Sequence, residues 1–219
     1  MDYREFSEKY FEFLNGPLAG INLTAIKDKE EFYNKQILDS LYPFIKIENL
    51  RNLAESKMPF IDIGFGGGFP LVPLAFLYPE KQFIGIESKN KKIKAVSQIC
   101  EYIGLNNVSF AHERFENIDF DTECLITNKA VTTIENLLGN IEYSAPIQVV
   151  FYKGPNLYDL ERSGMEKVKG NWDIFIEKEV EVPQTENRFI LGYKNRHVPR
   201  GTLKNRKKLI KLTDILKNS

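Results

Sequence analysis

Apolar residues at three- and four-residue intervals open the chain. Tyr3, Phe6, Tyr10 and Phe13 share one face, which predicts an amphipathic helix stopped by Gly16-Pro17. A second helix is expected at Asp28, a residue able to cap free amides, with Glu31 three positions on to complete a capping box. Tyr33, Ile37 and Leu41 line one face of it, and Pro43 is expected to end it. After Pro59 short apolar runs alternate with helical patterns. Phe60 to Ile63 precedes a helix over Leu71 to Tyr78, and Gln82 to Ile86 precedes one over Lys91 to Ile103. Val108 to Ala111 and Leu125 to Thr127 are further runs, followed by a helix over Ile134 to Tyr143 and the run Ile147 to Tyr152. Runs buried on both faces and separated by helices predict an α/β fold with a mostly parallel sheet. Trp172 to Val182 and Arg188 to Tyr193 read as an antiparallel pair closing the sheet edge. The expected organisation is a helical extension over 1–55 packed on the core, a sheet domain over 56–193 and a basic tail over 194–219.

Composition narrows the class. The chain has 219 residues, 42% of them apolar and 27% charged, as in soluble globular proteins. Its longest apolar runs are far too short to span a bilayer, and Met1 to Glu5 shows no secretory pattern, so a cytoplasmic location is expected. Cys100 and Cys124 make neither a disulfide framework nor a zinc site, and His112 and His197 do not read as a metal pair. No metal is expected. The net charge of zero conceals an asymmetry: the segment from Lys194 carries +8 and the first 193 residues −8. Such a tail suits a polyanion, and a solvated terminal helix is the plain alternative.

The informative segment is Phe60-Ile-Asp62-Ile-Gly64-Phe-Gly66-Gly67-Gly68-Phe69-Pro70. A buried strand ends, glycines turn the backbone, and Pro70 stands where a helix should begin. Open α/β sheets bind ligands at such a carboxyl-end loop. The spacing Gly64-x-Gly66-x-Gly68 places Phe69 where a dinucleotide fingerprint wants its third glycine. Asp62 before the loop and Phe69-Pro70 after it suit a ligand without a diphosphate, S-adenosylmethionine being the leading candidate. A dinucleotide and a non-binding glycine turn are the alternatives. Glu87 closes the next strand, where a carboxylate can accept from both ribose hydroxyls, and Arg114-Phe115-Glu116 lies where an adenine would sit. Lys153-Gly154-Pro155 ends a buried strand, which directs Lys153 either to the ligand face or simply to the strand end.

Taken together these motifs resemble the bacterial small-subunit (16S) ribosomal RNA guanine-N7 methyltransferases, the glucose-inhibited division protein B family. The resemblance runs from about Ile21 onward. Asn22-Leu23-Thr24-Ala25-Ile26 and Ile37-Leu38-Asp39-Ser40-Leu41 look like N-terminal signatures of that family, and the glycine segment looks like its cofactor loop. Glu87-Ser88 with Lys91-Lys92, and Tyr152-Lys153-Gly154, look like later ones. The resemblance implies a Rossmann-like class I S-adenosylmethionine-dependent fold. It implies cofactor contacts at Gly64, Gly66, Gly68, Phe69, Glu87, Ser88, Phe115, Glu116 and Lys129.

The family's Ser-Arg-Ala is Asn128-Lys129-Ala130 here, which loses a planar bidentate fork, and its histidine before Ile37 is Gln36. The implied reaction moves a methyl group to guanine N7, whose in-plane lone pair needs no base. Catalysis is then proximity and orientation, with Lys129 and Lys153 serving as catalytic-site residues that position backbone. The implied partner is small-subunit ribosomal RNA or the assembling subunit, met by a monomer through Arg196, Arg200, Lys204, Arg206, Lys207, Lys208 and Lys211. A methyltransferase acting on another RNA or a small molecule, and a non-catalytic RNA-binding protein, are the rival readings.

Overall fold

The computed structural model describes residues 1–196 and 209–218. Helix α1 (Tyr3–Asn15) comes first, then α2 (Lys29–Phe32) and α3 (Asp39–Lys46), joined by a π-helical stretch over Tyr33–Leu38, then α4 (Glu48–Glu55). Alternating units follow: β1 (Phe60–Ile63), α5 (Leu71–Leu77), β2 (Phe83–Glu87), α6 (Asn90–Ile103) and β3 (Val108–His112). Next come β4 (Ile118–Phe120), β5 (Cys124–Lys129), α7 (Ile134–Asn140), β6 (Glu142–Tyr143), β7 (Ile147–Lys153) and α8 (Leu157–Val168). The remaining described elements are β8 (Trp172–Val180), β9 (Arg188–Asn195), β10 (Ile210–Lys211) and α9 (Leu212–Lys217).

A seven-stranded sheet has the order β3-β2-β1-β5-β7-β9-β8. Its first five strands run parallel, and β9 and β8 add an antiparallel edge. Because side chains alternate along a strand, each strand feeds both sides. Phe60 and Phe83 join the layer made with α1, α5 and α6, whereas Ile61, Ile63, Ile84 and Ile86 join the layer made with α7, α8 and α9. The sheet is thereby covered on both faces, as a parallel sheet requires. A small parallel sheet, β10-β4-β6, lies beside it.

The local signals act largely as expected. Asp2 accepts the Glu5 amide to start α1, and Gly16 ends it. Asp28 caps α2 through the amide of Glu31. Two expectations change. Pro43 lies inside α3 rather than ending it. Its missing N–H removes one i→i−4 bond, the one to the Asp39 carbonyl, at the junction with the π-helical stretch, and the helix continues to Lys46. The expected helix over Ile134 to Tyr143 ends at Asn140, and its last two residues pair with β4 as β6.

Candidate active site

Strand β1 lies between β2 and β5, so the chain departs in opposite directions on its two sides. Open α/β sheets form their ligand crevice at that point, beyond the carboxyl ends of the strands. A cavity of about 720 Å³ opens there, with Gly64, Gly66, Glu87, Phe115, Glu116 and Lys129 in its wall. A second, more apolar cleft of about 620 Å³ lies at the other ends of β1 and β2 and contains none of the candidate catalytic, cofactor-binding or RNA-binding residues.

The glycines of the loop divide the labour. Gly66 has φ +57°, and a Cβ on it would meet only Lys92 Nζ at 3.7 Å and Gly64 O at 3.8 Å. This is the glycine that leaves backbone open to a ligand. Gly68 does not line the cavity, contrary to the expectation. It has φ +93°, and a Cβ there would run into the Tyr10 hydroxyl and come 2.9 Å from Val72 Cγ2. Its lack of a side chain lets α1 seat under the loop, where Tyr10 Oη donates to Gly67 O at 2.6 Å. Phe69 does line the cavity and packs edge-on against Tyr10 and Phe32.

Asp62 is fully buried and its carboxylate is spent inside the protein. It accepts the Leu71 amide at 3.2 Å and the Thr127 hydroxyl at 2.9 Å, tying the first turn of α5 to β5 beneath the loop. Burial raises its pKa to about 7, against the lowering effect of the Thr127 and Leu71 hydrogen bonds. Glu87, also buried, accepts Gly66 N–H at 3.3 Å through Oε2 and Lys89 N–H at 3.0 Å through Oε1. Ser88 is exposed on the cavity wall and donates its hydroxyl to Glu87 at 3.3 Å. Phe115 and Glu116 follow β3 into the same wall, and Glu116 Oε2 is buried without a hydrogen-bond partner.

The two lysines separate. Lys129 lines the cavity and its ammonium is fully engaged, 2.8 Å from Asp39 Oδ2 and 3.2 Å from Gln36 Oε1. Burial pulls its pKa down, and the Asp39 carboxylate opposes that shift. Gln36, noted only as a departure from the family pattern, is thus part of the site. Lys153 does not reach the cavity, which corrects the expectation of a ligand-facing side chain. Its ammonium is held by Glu161 Oε1 at 2.6 Å and by Thr132 O at 3.0 Å.

Sequence reasoning missed Asp39, Arg188 and Tyr10. Arg188 opens β9, lines the cavity and donates Nε to Asp39 Oδ1 at 2.6 Å across 149 positions of sequence. Asp39 lay within a family-like signature, and nothing local marked its charge as the common partner of two cations. Of the basic residues assigned to RNA, Arg196 donates to Asp173 at 2.7 Å and Lys211 stands 4.0 Å from Asp121. Neither lines the cavity. Arg200, Lys204, Arg206, Lys207 and Lys208 lie outside the described residues. Among the described residues no helix is long and apolar enough to cross a membrane, and no group of three or more His, Cys, Asp or Glu could hold a metal.

The fold is shared with known methyltransferases. It matches magnesium protoporphyrin IX methyltransferase from Synechocystis PCC 6803, solved with bound SAM, at TM-score 0.53 and 16% identity over 89% of this chain and 97% of that one. It matches a METTL16 methyltransferase domain at TM-score 0.54 and 11% identity over 88% and 80%. These likenesses place the chain in the Rossmann-like class I methyltransferase fold. In sequence, the ribosomal RNA small subunit methyltransferase G of Lactococcus lactis subsp. cremoris (strain MG1363) is 33% identical over 162 residues, 73% of this chain and 65% of the relative. The protein of that name from Streptococcus pneumoniae (strain ATCC BAA-255 / R6) is 39% identical over 118 residues, 54% of this chain and 48% of the relative. The matched stretch therefore spans about half to two thirds of these curated relatives. A model of the GidB family, rRNA small subunit methyltransferase G, matches residues 4–173. That span begins earlier than the resemblance expected from Ile21 and stops short of the basic tail. With the glycine loop, Glu87 and Lys129 all inside it, the chain belongs to the GidB family of rRNA small subunit methyltransferases G.

Proposed function

We propose that the chain transfers a methyl group from S-adenosylmethionine to N7 of a guanine in small-subunit ribosomal RNA. The observation that carries this reading is the pairing of donors and acceptors around the cavity. Gly66 presents backbone with no side chain in the way, Glu87 is held rigidly beside it, and Glu116 keeps a buried oxygen with no donor. A buried acceptor without a donor carries a free-energy cost that a ligand amine would relieve. An adenosine fits these groups, with its ribose hydroxyls on Glu87 and its exocyclic amine on Glu116.

The cofactor supplies a methyl carbon activated by sulfonium. Everything else asked of this chain is placement. Guanine N7 carries an in-plane lone pair, so no residue has to remove a proton, and the rate comes from alignment in a confined cavity. The buried cysteines fit a mechanism without a covalent adduct: burial raises Cys100 to about 12 and pushes Cys124 higher still, and neither lines the cavity. Lys129, saturated by Asp39 and Gln36, orients the cavity wall rather than moving protons.

On this reading the site consists of Gly64, Gly66, Phe69, Glu87, Ser88, Phe115, Glu116 and Lys129. The basic segment from Lys194 onward draws in the RNA. The extension over 1–55 supports the loop from below, through Tyr10. The enzyme works in the cytoplasm as a monomer, on ribosomal RNA or the assembling subunit. The test is mass mapping of small-subunit ribosomal RNA from cells lacking this gene, with and without the purified chain and S-adenosylmethionine added back. A single 7-methylguanosine lost and then restored is the expected result. An unchanged RNA, or a modified pyrimidine or adenine, would overturn the assignment.

A further inference from the structure

Between β5 and α7 the backbone forms a lip on one side of the cavity, residues 130 to 133. Ala130 adopts φ +56°, a conformation that an L side chain rarely takes and that persists only where its surroundings enforce it. Val131, next to it, is 43% exposed, one of few large apolar side chains in solvent among the described residues. It lines the cavity and packs over Gly64, where a Cβ would come 2.7 Å from either Val131 methyl.

Both ends of this lip are clamped. At the start, Lys129 is paired with Asp39. At the far end, Lys153 Nζ donates to Thr132 O at 3.0 Å while Glu161 Oε2 accepts Ile134 N–H at 2.6 Å. Glu161 Oε1 also holds Lys153 at 2.6 Å, so one carboxylate joins the two clamping groups. Both side chains are only 13% exposed. A pair so far out of water contributes little net stability, because desolvation offsets attraction. Its geometric effect is specific: it fixes the backbone on either side of Thr133, the residue that caps α7.

The lip meets the glycine loop at Gly64, and it lines the same cavity as the proposed adenosine contacts Glu87 and Glu116. Besides Glu87, Glu116 and the loop backbone, the cavity wall holds Val131, Lys129, Asn136 and Arg188. An exposed apolar side chain in that wall suits the face of an aromatic base. We propose that Lys153 and Glu161 are positioning residues: together they brace the lip so that Val131 sets the acceptor base, and neither touches substrate. This rests on the methyl-transfer reading above.

The full chain carrying Glu161→Gln, Lys153→Met, both together, or Lys153→Arg is compared with wild type. S-adenosylmethionine affinity by calorimetry should stay within twofold. The single-turnover methylation rate at saturating RNA and cofactor should fall tenfold or more in each neutral variant. The double variant should lose no more than the worse single, and Lys153→Arg should recover most of the rate. Val131→Ala, on an exposed side chain that folding does not depend on, should lower the rate severalfold with cofactor affinity intact, and it decides alone if Glu161→Gln does not fold. A full rate in these variants overturns the brace, and so does cofactor affinity falling in step with rate. Wild-type protein that binds cofactor yet methylates no small-subunit RNA sinks the parent reading instead. The brace is then judged on the Ile134 amide, whose hydrogen exchange must quicken in Glu161→Gln; unchanged exchange overturns it too.

Discussion

The hydroxyl of Tyr10 stands where a Cβ on Gly68 would have to go, and it donates to the neighbouring Gly67 carbonyl at 2.6 Å. The N-terminal helix thus shapes the glycine loop from beneath. Tyr10→Phe should cost about 1–2 kcal/mol, the loss of one buried hydrogen bond. Gly68→Ala should cost about 2–4 kcal/mol, combining overpacking with a strained φ of +93°. In the double variant the missing hydroxyl makes room for the new methyl, so urea unfolding should give a total below the sum of the singles. Strict additivity would mean that the two residues do not compete for that space.

How much of this was readable in the sequence follows from the range of each interaction. The strand–glycine–helix unit from Phe60 to Leu77 was legible because it is contiguous and each signal is local. Helix α8 was not. Gly164 occupies one of its buried positions, where a Cβ would come 2.9 Å from Glu135 Cβ, and Leu160 points outward at 79% exposure. That removes the apolar period that would have marked it. Which glycine opens onto the cavity was equally hidden, since Gly66 and Gly68 differ in what α1, α5 and α6 bring against them. The Asp39–Arg188 pair joins residues 149 apart, and no spacing rule reaches that far.

Cofactor binding should depend on Gly66 and Glu87 in different ways. Gly66→Val puts a branched side chain at φ +57° and over the open face of the loop, and calorimetry with S-adenosylmethionine should detect no binding. Glu87→Ala should bind more weakly by about 1.5–3 kcal/mol, the value of a charged hydrogen bond. Wild-type affinity in both variants would remove the cavity from consideration as the cofactor site.

The basic segment should act on RNA and leave the cofactor alone. The body before Lys194 is acidic overall and would repel a polyanion without it. Reversing charge at Arg206, Lys207 and Lys208 should flatten the salt dependence of RNA binding by roughly two units of slope, at about 0.7–0.9 per phosphate contact. Filter binding across a salt series measures this. An unchanged slope would send the RNA path elsewhere on the surface.

Asp62 should leave a signature in stability against pH. Its pKa is about 7 in the fold and near 3.8 when exposed. Between those values the folded chain keeps a proton that the unfolded chain has lost, so this group's contribution is full below about pH 4 and declines as pH rises through 7. The decline is on the order of a few kcal/mol, since each tenfold change in acidity is worth about 1.4 kcal/mol. Asp62→Asn should flatten that part of the profile in denaturant titrations at pH 5 and pH 8. A wild-type-minus-variant difference independent of pH would show that Asp62 keeps an ordinary acidity despite burial.

Asp39 should be the most sensitive charge in the molecule. It is fully buried and shared by Lys129 at 2.8 Å and Arg188 at 2.6 Å, two cations that would otherwise repel each other across the cavity wall. Asp39→Asn keeps the shape and removes the charge, which should destabilise the fold by about 3–5 kcal/mol, as expected when one partner of a buried pair is lost. Adding Lys129→Met removes the more deeply buried of the two stranded cations, so Asp39→Asn/Lys129→Met should be more stable than Asp39→Asn alone. A purely packing role for Asp39 makes the opposite forecast, with the second substitution adding its own cost. Guanidinium unfolding of the three proteins separates the two accounts by the sign of a single difference.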